Sequence, residues 1–197
     1  MEKGLKLSAK ADSLAVDEIE FRQLVGSLIY LTATRPDICF AVSYISRFMT
    51  APKADHWIAA KPVLRYVKGT SDYGILYGRC NDPKLIGYTD LDWAGSVDDR
   101  KSTSWYVFRL GTSVVTWSSK KQRIVALSST EAEYRGTVKA ACETVWLRRM
   151  LSDMQMPQAK SSLKRGAKYF KLRGVTYIKS GRSQKAEEIS RNGGRRN

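Results

Sequence analysis

The sequence predicts an α/β protein: a small helical region, an antiparallel meander against one long helix, and a basic tail. Two changes of period carry this prediction. Apolar residues recur at helical spacing in the first third of the chain, alternate at strand spacing from residue 73, and return to helical spacing after Ser128. The chain therefore divides into an extended lead-in at 1–17, a helical region at 18–70, an α/β region at 71–157 and a basic, mostly disordered tail at 158–197.

Three helices are predicted in the helical region. The first is expected to end before Arg35-Pro36-Asp37, because proline disfavours a helical conformation in the residue that precedes it. Asp37 is expected to cap the second helix through its side-chain oxygen. The third is expected from about Lys53 to Val67. Pro62 lies inside that helix and removes a backbone donor, so we expect a kink or a break there.

Strands and one long helix are predicted in the α/β region. The strand candidates are Tyr73–Tyr77, Leu85–Thr89, Ser104–Leu110 and Ser113–Ser118, with Gly111-Thr112 as a hairpin turn. The run Ser128-Ser129-Thr130-Glu131 is typical of a helix N-terminus. The apolar spacing after it predicts a helix that continues through Leu151 and ends before Pro157.

The charge of the chain is basic and unevenly distributed. Its 197 residues hold 34 Lys and Arg against 19 Asp and Glu, a formal net charge of +15. The segment from Lys160 to Asn197 holds 12 of the basic residues and two acids, so it carries +10 of that charge. Such a balance favours polyanions, and nucleic acid in particular. The candidate contacts are Lys120, Lys121 and Arg123 in the α/β region and Lys164, Arg165, Arg195 and Arg196 in the tail.

The rare residue types exclude several functional classes. The three cysteines are far apart and His56 is the only histidine. A zinc site of Cys and His ligands, or a hydrolase with a histidine base, is therefore not expected. No apolar run is long enough for a transmembrane helix. The first residues also lack the apolar segment of a secretory signal.

Carboxylates follow the second strand candidate and open the long helix. Asp90 and Asp92 come at the end of a hydrophobic strand, and Glu131 and Glu133 lie in the first turns of the helix. Where a strand end and a helix start pack together, such groups can bind Mg²⁺ through oxygen ligands and support phosphodiester hydrolysis. Acids at these places are more often solvated or cap the helix, so spacing alone leaves both interpretations open.

Longer stretches of the sequence resemble one family. Phe21–Leu31, Arg35–Ile38 and Ala59–Gly69 resemble the end of a copia-type retrotransposon reverse transcriptase. The run from Gly87 to Leu151 resembles the ribonuclease H (RNase H) domain that follows it, through YTDLDWAG, DDRKSTSWYVFRLG, TWSSKKQ, VALSSTEAEY and WLRRML. The resemblance covers roughly residues 1–157, and it implies a helical remnant of the polymerase followed by an RNase H-like fold. The first eight residues also resemble polyprotein interior, so we expect a reading frame that extends upstream.

The resemblance also implies which acids were catalytic. Asp90 corresponds to the acid of the first strand and Glu133 to the acid of the helix, with Glu131 as its alternative. The family's third acid lies in a DN motif after the helix and its fourth lies further on; neither has a counterpart, since only Glu187 and Glu188 remain there. The residual metal ligands are therefore Asp90 and Glu133, and one weakly held Mg²⁺ is the most we expect. We therefore expect an incomplete sheet that lacks the family's parallel strands after the helix. We also expect no hydrolysis of an RNA–DNA hybrid.

Three functions remain open from the sequence. The first is a degenerate, non-catalytic RNase H-like fragment that acts by binding, in the nucleus or the cytoplasm. The second is a secreted RxLR-type effector of a plant-pathogenic oomycete, because fragments of this kind also carry that description. Such a protein would bind a host protein inside the host cell, in the nucleus foremost, and suppress host defence or cell death. No Arg-x-Leu-Arg occurs in the chain. The third is a non-specific nucleic-acid-binding protein that depends on its tail.

Overall fold

Four α-helices and six strands form in the part of the chain that the structure describes. The computed structural model describes residues 4–158, 161–165 and 177–179. The helices are α1 (Glu18–Leu31), α2 (Cys39–Ile45), α3 (Ala54–Gly69) and α4 (Ser129–Asp153). The strands are β1 (Tyr73–Ile75), β2 (Leu85–Asp92), β3 (Thr103–Leu110), β4 (Ser113–Lys121), β5 (Ser162–Arg165) and β6 (Tyr177–Lys179). The predicted α/β class, with an antiparallel meander and one long helix, is confirmed.

The first three helices share one apolar core. Phe21 and Val25 of α1 are fully buried, and they pack in one cluster with Ile45 of α2 and with Ala60 of α3. Asp17 caps α1, since its carboxylate accepts a hydrogen bond from the Glu20 backbone at 2.9 Å. Burial of these side chains, at about 25 cal/mol for each Å² of apolar surface, supplies most of the stability of this unit.

Asp37 does not cap α2, so that prediction is wrong. Residues Pro36–Ile38 form a 3₁₀ turn, and α2 begins only at Cys39. The Asp37 carboxylate instead accepts from Arg35, at 2.7 Å from Nη2 and 3.0 Å from Nε. Arg35 is only 4% exposed and also donates to the Thr70 carbonyl at 2.8 Å, so it ties the end of α1 to the end of α3. A buried guanidinium needs a carboxylate partner, and this need outweighs the capping preference.

Pro62 does not break α3. The helix runs without interruption from Ala54 to Gly69. Its buried residues Ala59, Ala60 and Val63 lie on both sides of the proline and pack into the shared core. This packing outweighs the hydrogen bond that the proline cannot donate.

The lead-in packs along the molecule as an extended segment. Leu7 is buried, and its backbone N–H donates to the Tyr44 hydroxyl at 3.0 Å. The Asp98 carboxylate accepts from the Ser8 hydroxyl at 2.5 Å and from the Ala9 backbone at 3.0 Å. The lead-in thus connects the helical core to the loop between β2 and β3.

The main sheet has four strands in the order β4-β3-β2-β5. β2 pairs antiparallel with β3, and β3 with β4. β5 pairs parallel with β2, from Ile86↔Ser162 to Thr89↔Arg165. A parallel strand after the long helix is therefore present, contrary to the expectation that all such strands are missing. Leu163 accounts for it, because that side chain packs on the cluster formed by β2, β3 and α4.

Two strands lie in the stretch that was expected to be mostly disordered. β5 belongs to the main sheet, and β6 forms a separate antiparallel pair with β1. The stretch predicted as a mostly disordered tail thus contains two short strands, at residues 162–165 and 177–179. Residues 159–160, 166–176 and 180–197 lie outside the described part of the chain.

The two faces of the sheet have different partners. On one face, Leu85 and Phe108 pack against α4 through Ala140, Leu147 and Leu151. The other face turns to the helical unit, where the side chains of Tyr88 and Trp117 pack on Val107 and Val114. The Trp117 indole donates to the Thr32 carbonyl at 2.9 Å, and the Ser43 hydroxyl donates to the Ser119 carbonyl at 2.8 Å. Among the described residues, no helix is long and apolar enough to cross a membrane.

We predict that acid destabilises the junction between the lead-in and α3. His56 is fully buried, accepts at Nδ1 from the Lys53 backbone at 3.0 Å and contacts the Ser8 carbonyl through Nε2 at 3.0 Å. Burial lowers the pKa of His56 below 6.5. The unfolded chain therefore binds the proton first, and the free energy of unfolding falls as the pH drops below about 6.5.

Urea unfolding between pH 7 and pH 5 measures this dependence. His56→Gln keeps an acceptor for the Lys53 N–H and does not titrate, so its stability should stay nearly constant over that interval. Asp98 and Asp99 do not interfere. The hydrogen bond from Ser8 lowers the pKa of Asp98 below 3.8, and at Asp99 burial acts to raise the pKa but hydrogen bonds from Lys121 and Ser96 together lower it below 3.8. If the free energy of unfolding depended on pH equally in the parent chain and in His56→Gln, His56 would not be the group responsible.

We also predict that Asp37→Ala lowers the free energy of unfolding by about 3 to 5 kcal/mol, because it leaves the Arg35 charge buried without a partner. Asp82→Ala is the matched control, since it removes one acid from an exposed pair with Lys84 at 3.5 Å. That variant should unfold like the parent chain. Similar stabilities for Asp37→Ala and Asp82→Ala would show that Arg35 needs no carboxylate.

Candidate functional site

The acidic end of β2 is the first part of the candidate site. Asp90 is half-buried and pairs in register with Trp105, while Asp92 pairs with Thr103. Both carboxylates lie on the same face, because residues two apart in a strand point the same way. A Cβ atom at Gly95 would lie 1.6 Å from Asp92 Oδ2, so the Asp92 carboxylate lies against the backbone of the turn and would have to move for a larger residue.

A cation from the helical unit lies near these acids. Arg47 donates from Nη2 to the Thr103 hydroxyl at 2.9 Å, and its guanidinium lies 4.9 Å from the centre of the Tyr44 ring. Burial raises the pKa of Asp92, the neighbouring Asp90 charge raises it further, and Arg47 lowers it. Burial also lowers the pKa of Arg47. On the sheet face that carries Asp90 and Asp92, the neighbouring charged side chain from the helical unit is therefore Arg47. It is not an acid from α4.

Glu131 has a structural role at the start of α4. Its carboxylate accepts from the Leu127 backbone at 2.8 Å and from Arg135 at 2.7 Å. The Ser128 hydroxyl in turn accepts from the Glu131 backbone at 3.1 Å. The hydrogen bond from Leu127, with that from Arg135, lowers the pKa of Glu131. These contacts are those of a helix cap, the alternative that the sequence left open.

Asp90 and Glu133 lie at the same end of the sheet but on different sides of it. A Cβ atom at Gly136 would lie 3.9 Å from Leu91 Cδ2, so the start of α4 meets the end of β2. Leu91 points to α4, and Asp90, its neighbour in the strand, therefore points to the opposite face. Glu133 is exposed on α4. A shared ion between the two carboxylates stays a prediction.

The donor set does not fit a two-ion site. Within the described ranges, no group of three or more His, Cys, Asp or Glu side chains is placed to hold a metal. β5, the strand beside β2, carries Lys164 in register with Tyr88 and Arg165 in register with Thr89. Lys164 is exposed and shares the face of Asp90. β5 therefore presents a lysine, and no acid, on the face of the first acid.

A basic cleft at the other edge of the sheet is the second part of the candidate site. Lys120, Lys121 and Arg123, which the sequence singled out, line one cleft of about 460 Å³. Arg135 and Lys139 of α4 line the same cleft and were not predicted. They are one turn apart on the helix, but only the packing of α4 on the sheet shows that they face the end of β4.

Hydrogen bonds from Gln122 hold the two sides of the cleft together, and some of its basic side chains already form ion pairs. The Gln122 amide donates to the Ser104 hydroxyl at 2.7 Å and to the Ala132 carbonyl at 3.1 Å, which joins the end of β4 to α4. Lys121 pairs with Asp99 at 2.8 Å. Burial lowers the pKa of Lys139, and the charge of Lys120 lowers it further. Such mutual repulsion is relieved when an anion binds between the two ammonium groups.

Of the basic residues predicted in the tail, Lys164 and Arg165 are not brought to this cleft. Lys164 and Arg165 lie on β5 at one edge of the sheet, whereas the cleft lies beside β4 at the other. Arg195 and Arg196 lie outside the described residues.

Comparisons with known proteins give consistent relatives. The chain is 45% identical over 149 residues to the retrovirus-related Pol polyprotein from transposon RE2 of Arabidopsis thaliana, covering 76% of this chain and 10% of the relative. It is 42% identical over 161 residues to the corresponding polyprotein from transposon TNT 1-94 of Nicotiana tabacum, covering 78% and 12%. It is 48% identical over 130 residues to secreted RxLR effector protein 161 of Plasmopara viticola, covering 66% and 92%.

These matches differ in how much of each relative they cover. The chain spans about a tenth of the length of the polyproteins and nearly all of the effector protein. No protein-family model matches the chain, and no solved structure matches it significantly.

Proposed function

Since this chain belongs to the family of retrovirus-related Pol polyproteins of copia-type transposons, we propose that it is a degenerate Pol fragment that binds but does not cleave nucleic acid. In this proposal, residues 71–157 with β5 are a partial RNase H-like domain, and residues 18–70 are a remnant of the reverse transcriptase. The whole polyprotein's activities are not carried over, because most of its length has no match here.

The order of the strands supports an RNase H-like interpretation. Three antiparallel strands are followed by a long helix and then by a strand parallel to the first. The sequence motifs imply this kind of mixed sheet with parallel strands after the helix. In this proposal the fragment keeps the scaffold on which the family holds its acids.

One observation carries the proposed loss of hydrolysis. The strand that follows α4 and pairs with β2 reads Ser-Leu-Lys-Arg, with no acid, and the described residues hold no metal-binding cluster of three or more ligands. Two-ion hydrolysis needs acids that bridge and separate two cations, and two carboxylates on different sides of a sheet do not do so. Lys164 lies on the same face as Asp90, and its positive charge there further disfavours a cation.

The basic cleft provides the proposed binding activity. Lys120 and Lys139 act as point charges toward phosphate oxygens, and Arg123 adds a guanidinium that can bind one phosphate through two N–H groups. These contacts recognise the phosphate backbone and not the bases, so we expect binding without sequence preference. The tail adds charge to the same partner.

We predict that the full chain, in excess over an RNA–DNA hybrid, produces no cleavage above background with Mg²⁺ or with Mn²⁺. Loss of ligands in a unit of cooperating acids removes nearly all of the rate. Asp90→Asn is the matched control and should behave like the parent chain. Metal-dependent cleavage that disappears in Asp90→Asn would show that another acid completes the site.

A second prediction concerns the cleft. Lys120→Glu with Arg123→Glu should weaken binding to a random DNA or RNA strand by about tenfold or more, and should reduce the salt slope by about two. Lys121 is left unchanged because its reversal would also break the pair with Asp99. Fluorescence anisotropy over a range of salt concentrations measures both quantities.

The control for that experiment keeps the same change in net charge. Lys61→Glu with Lys84→Glu alters two exposed lysines away from the cleft and should change affinity much less. The variant Arg195→Glu with Arg196→Glu measures how much the tail contributes to the affinity for the nucleic acid. Equal losses in the cleft variant and in the Lys61 and Lys84 variant would show that net charge, and not the cleft, determines binding.

A second candidate function rests on the coverage of one relative. The effector protein of Plasmopara viticola matches at 48% identity over 92% of its length, so the fragment as a unit occurs in a protein named a secreted effector. In this alternative the chain is secreted and binds a protein in the nucleus of a host cell. Immunodetection in culture filtrate, compared with cell extract, tests it: presence only in the extract would argue against secretion.

A further inference from the structure

The outer face of α4 has a continuous apolar stripe. The inner face of the helix, with Ala132, Gly136, Ala140, Leu147 and Leu151, packs on the sheet. The outer stripe consists of residues at positions i, i+4, i+7, i+8 and i+11, which are Tyr134, Val138, Ala141, Cys142 and Val145. Tyr134 is 71% exposed, Val138 42% and Val145 50%. A helix on the surface of a protein ordinarily has polar residues on that side.

The apolar stripe of one copy is complementary to the same stripe of a second copy in antiparallel orientation. Around an axis that passes between Ala141 and Cys142, antiparallel pairing puts Val138 opposite Val145. The two small central residues allow two helix backbones to approach closely. The same register puts the Tyr134 ring of one copy opposite Arg149 of the other, and an arginine over an exposed aromatic ring is attractive.

The charges at the two ends agree with this register. The stripe begins one turn after Glu131 and ends one turn before Arg149. In an antiparallel pair, the acidic end of each helix lies within about one turn of the Arg149 of the other. The helix dipoles also oppose each other in this arrangement, which is favourable.

We propose that the outer face of α4 is a self-association surface through which two copies of this chain form an antiparallel, two-fold symmetric dimer. A single helix face buries less surface than a standard interface, so the dimer belongs to the weak class. Dimerisation places two basic clefts in one particle, and two linked cation clefts bind a polyanion more tightly than one. This inference does not depend on whether the cleft binds nucleic acid.

A charge-pair design tests the register directly. Val138→Glu puts a carboxylate against Val145 of the other copy and should weaken dimerisation by about tenfold or more, as measured by sedimentation equilibrium of the full chain. Val138→Glu combined with Val145→Lys places opposite charges at the paired positions on both sides of the axis. The double variant should recover most of the lost association, because each glutamate then faces a lysine.

Controls separate this effect from misfolding and from general charge. Ile58→Glu alters an exposed apolar residue on α3, outside the stripe, and should leave association unchanged. Thermal unfolding verifies that every variant is folded. In a Cys80→Ser background, a short bis-maleimide should crosslink two chains through Cys142, which is exposed at the centre of the stripe.

Three results would overturn the proposal. The first is a parent chain that is monomeric at about 100 μM. The second is a Val138→Glu variant that associates like the parent. The third is a double variant that dimerises no more tightly than Val138→Glu alone, which would contradict the antiparallel register.

Discussion

The alternation of side chains along β2 determines which of them pack on α4 and which face the helical unit. Leu85 and Leu91 point to α4, while Tyr88 and Asp90 point to the face of the helical unit. The register with β3 is fixed where Gly87 faces the ring of Phe108, since a Cβ atom there would lie 2.4 Å from that ring. A slip of one residue would exchange the two faces. Both hydrophobic layers therefore depend on this strand.

This constraint is compatible with the proposal that the fragment keeps its fold without catalytic activity. The core on the α4 side is built from Leu85, Phe108, Ala140 and their neighbours, and none of the predicted catalytic acids takes part in it. Arg47 and the lead-in, through Asp98, bind the loop end of the sheet to the helical unit. A chain that loses its later acids thus loses little of what holds it folded. A stable scaffold with basic surfaces remains, and this is the form we propose for the protein.

Local signals in the sequence predicted local structure well. The start of α4 follows from Ser128, which accepts from the Glu131 backbone, and from Glu131, which accepts from the Leu127 backbone; both contacts span no more than four residues. Non-local contacts were missed. The burial of Arg35, which takes the Asp37 carboxylate, depends on Thr70, and the continuity of α3 through Pro62 depends on packing with α1 and α2. In physical terms, a propensity is a weak preference that tertiary burial overrides.

The candidate site was predictable only in part for the same reason. Lys120, Lys121 and Arg123 are adjacent in sequence, so they were found, whereas Arg135 and Lys139 reach the cleft only through the packing of α4. β5 has one apolar residue, Leu163, in a basic stretch, so no periodicity marks it. The side of the sheet on which Asp90 lies could not be read from its motif, because strand alternation must be combined with knowledge of where α4 packs.

Binding of Mn²⁺ to the two family acids tests the central claim most directly. Paramagnetic Mn²⁺ broadens the NMR signals of residues within its reach, so a titration of labelled chain shows whether Asp90 and Glu133 share an ion. We expect no saturable site that broadens both residues at Mn²⁺ concentrations below about 1 mM, because the carboxylates lie on different sides of the sheet. Saturable broadening of both residues at micromolar Mn²⁺ would contradict the proposal that the catalytic metal site is lost.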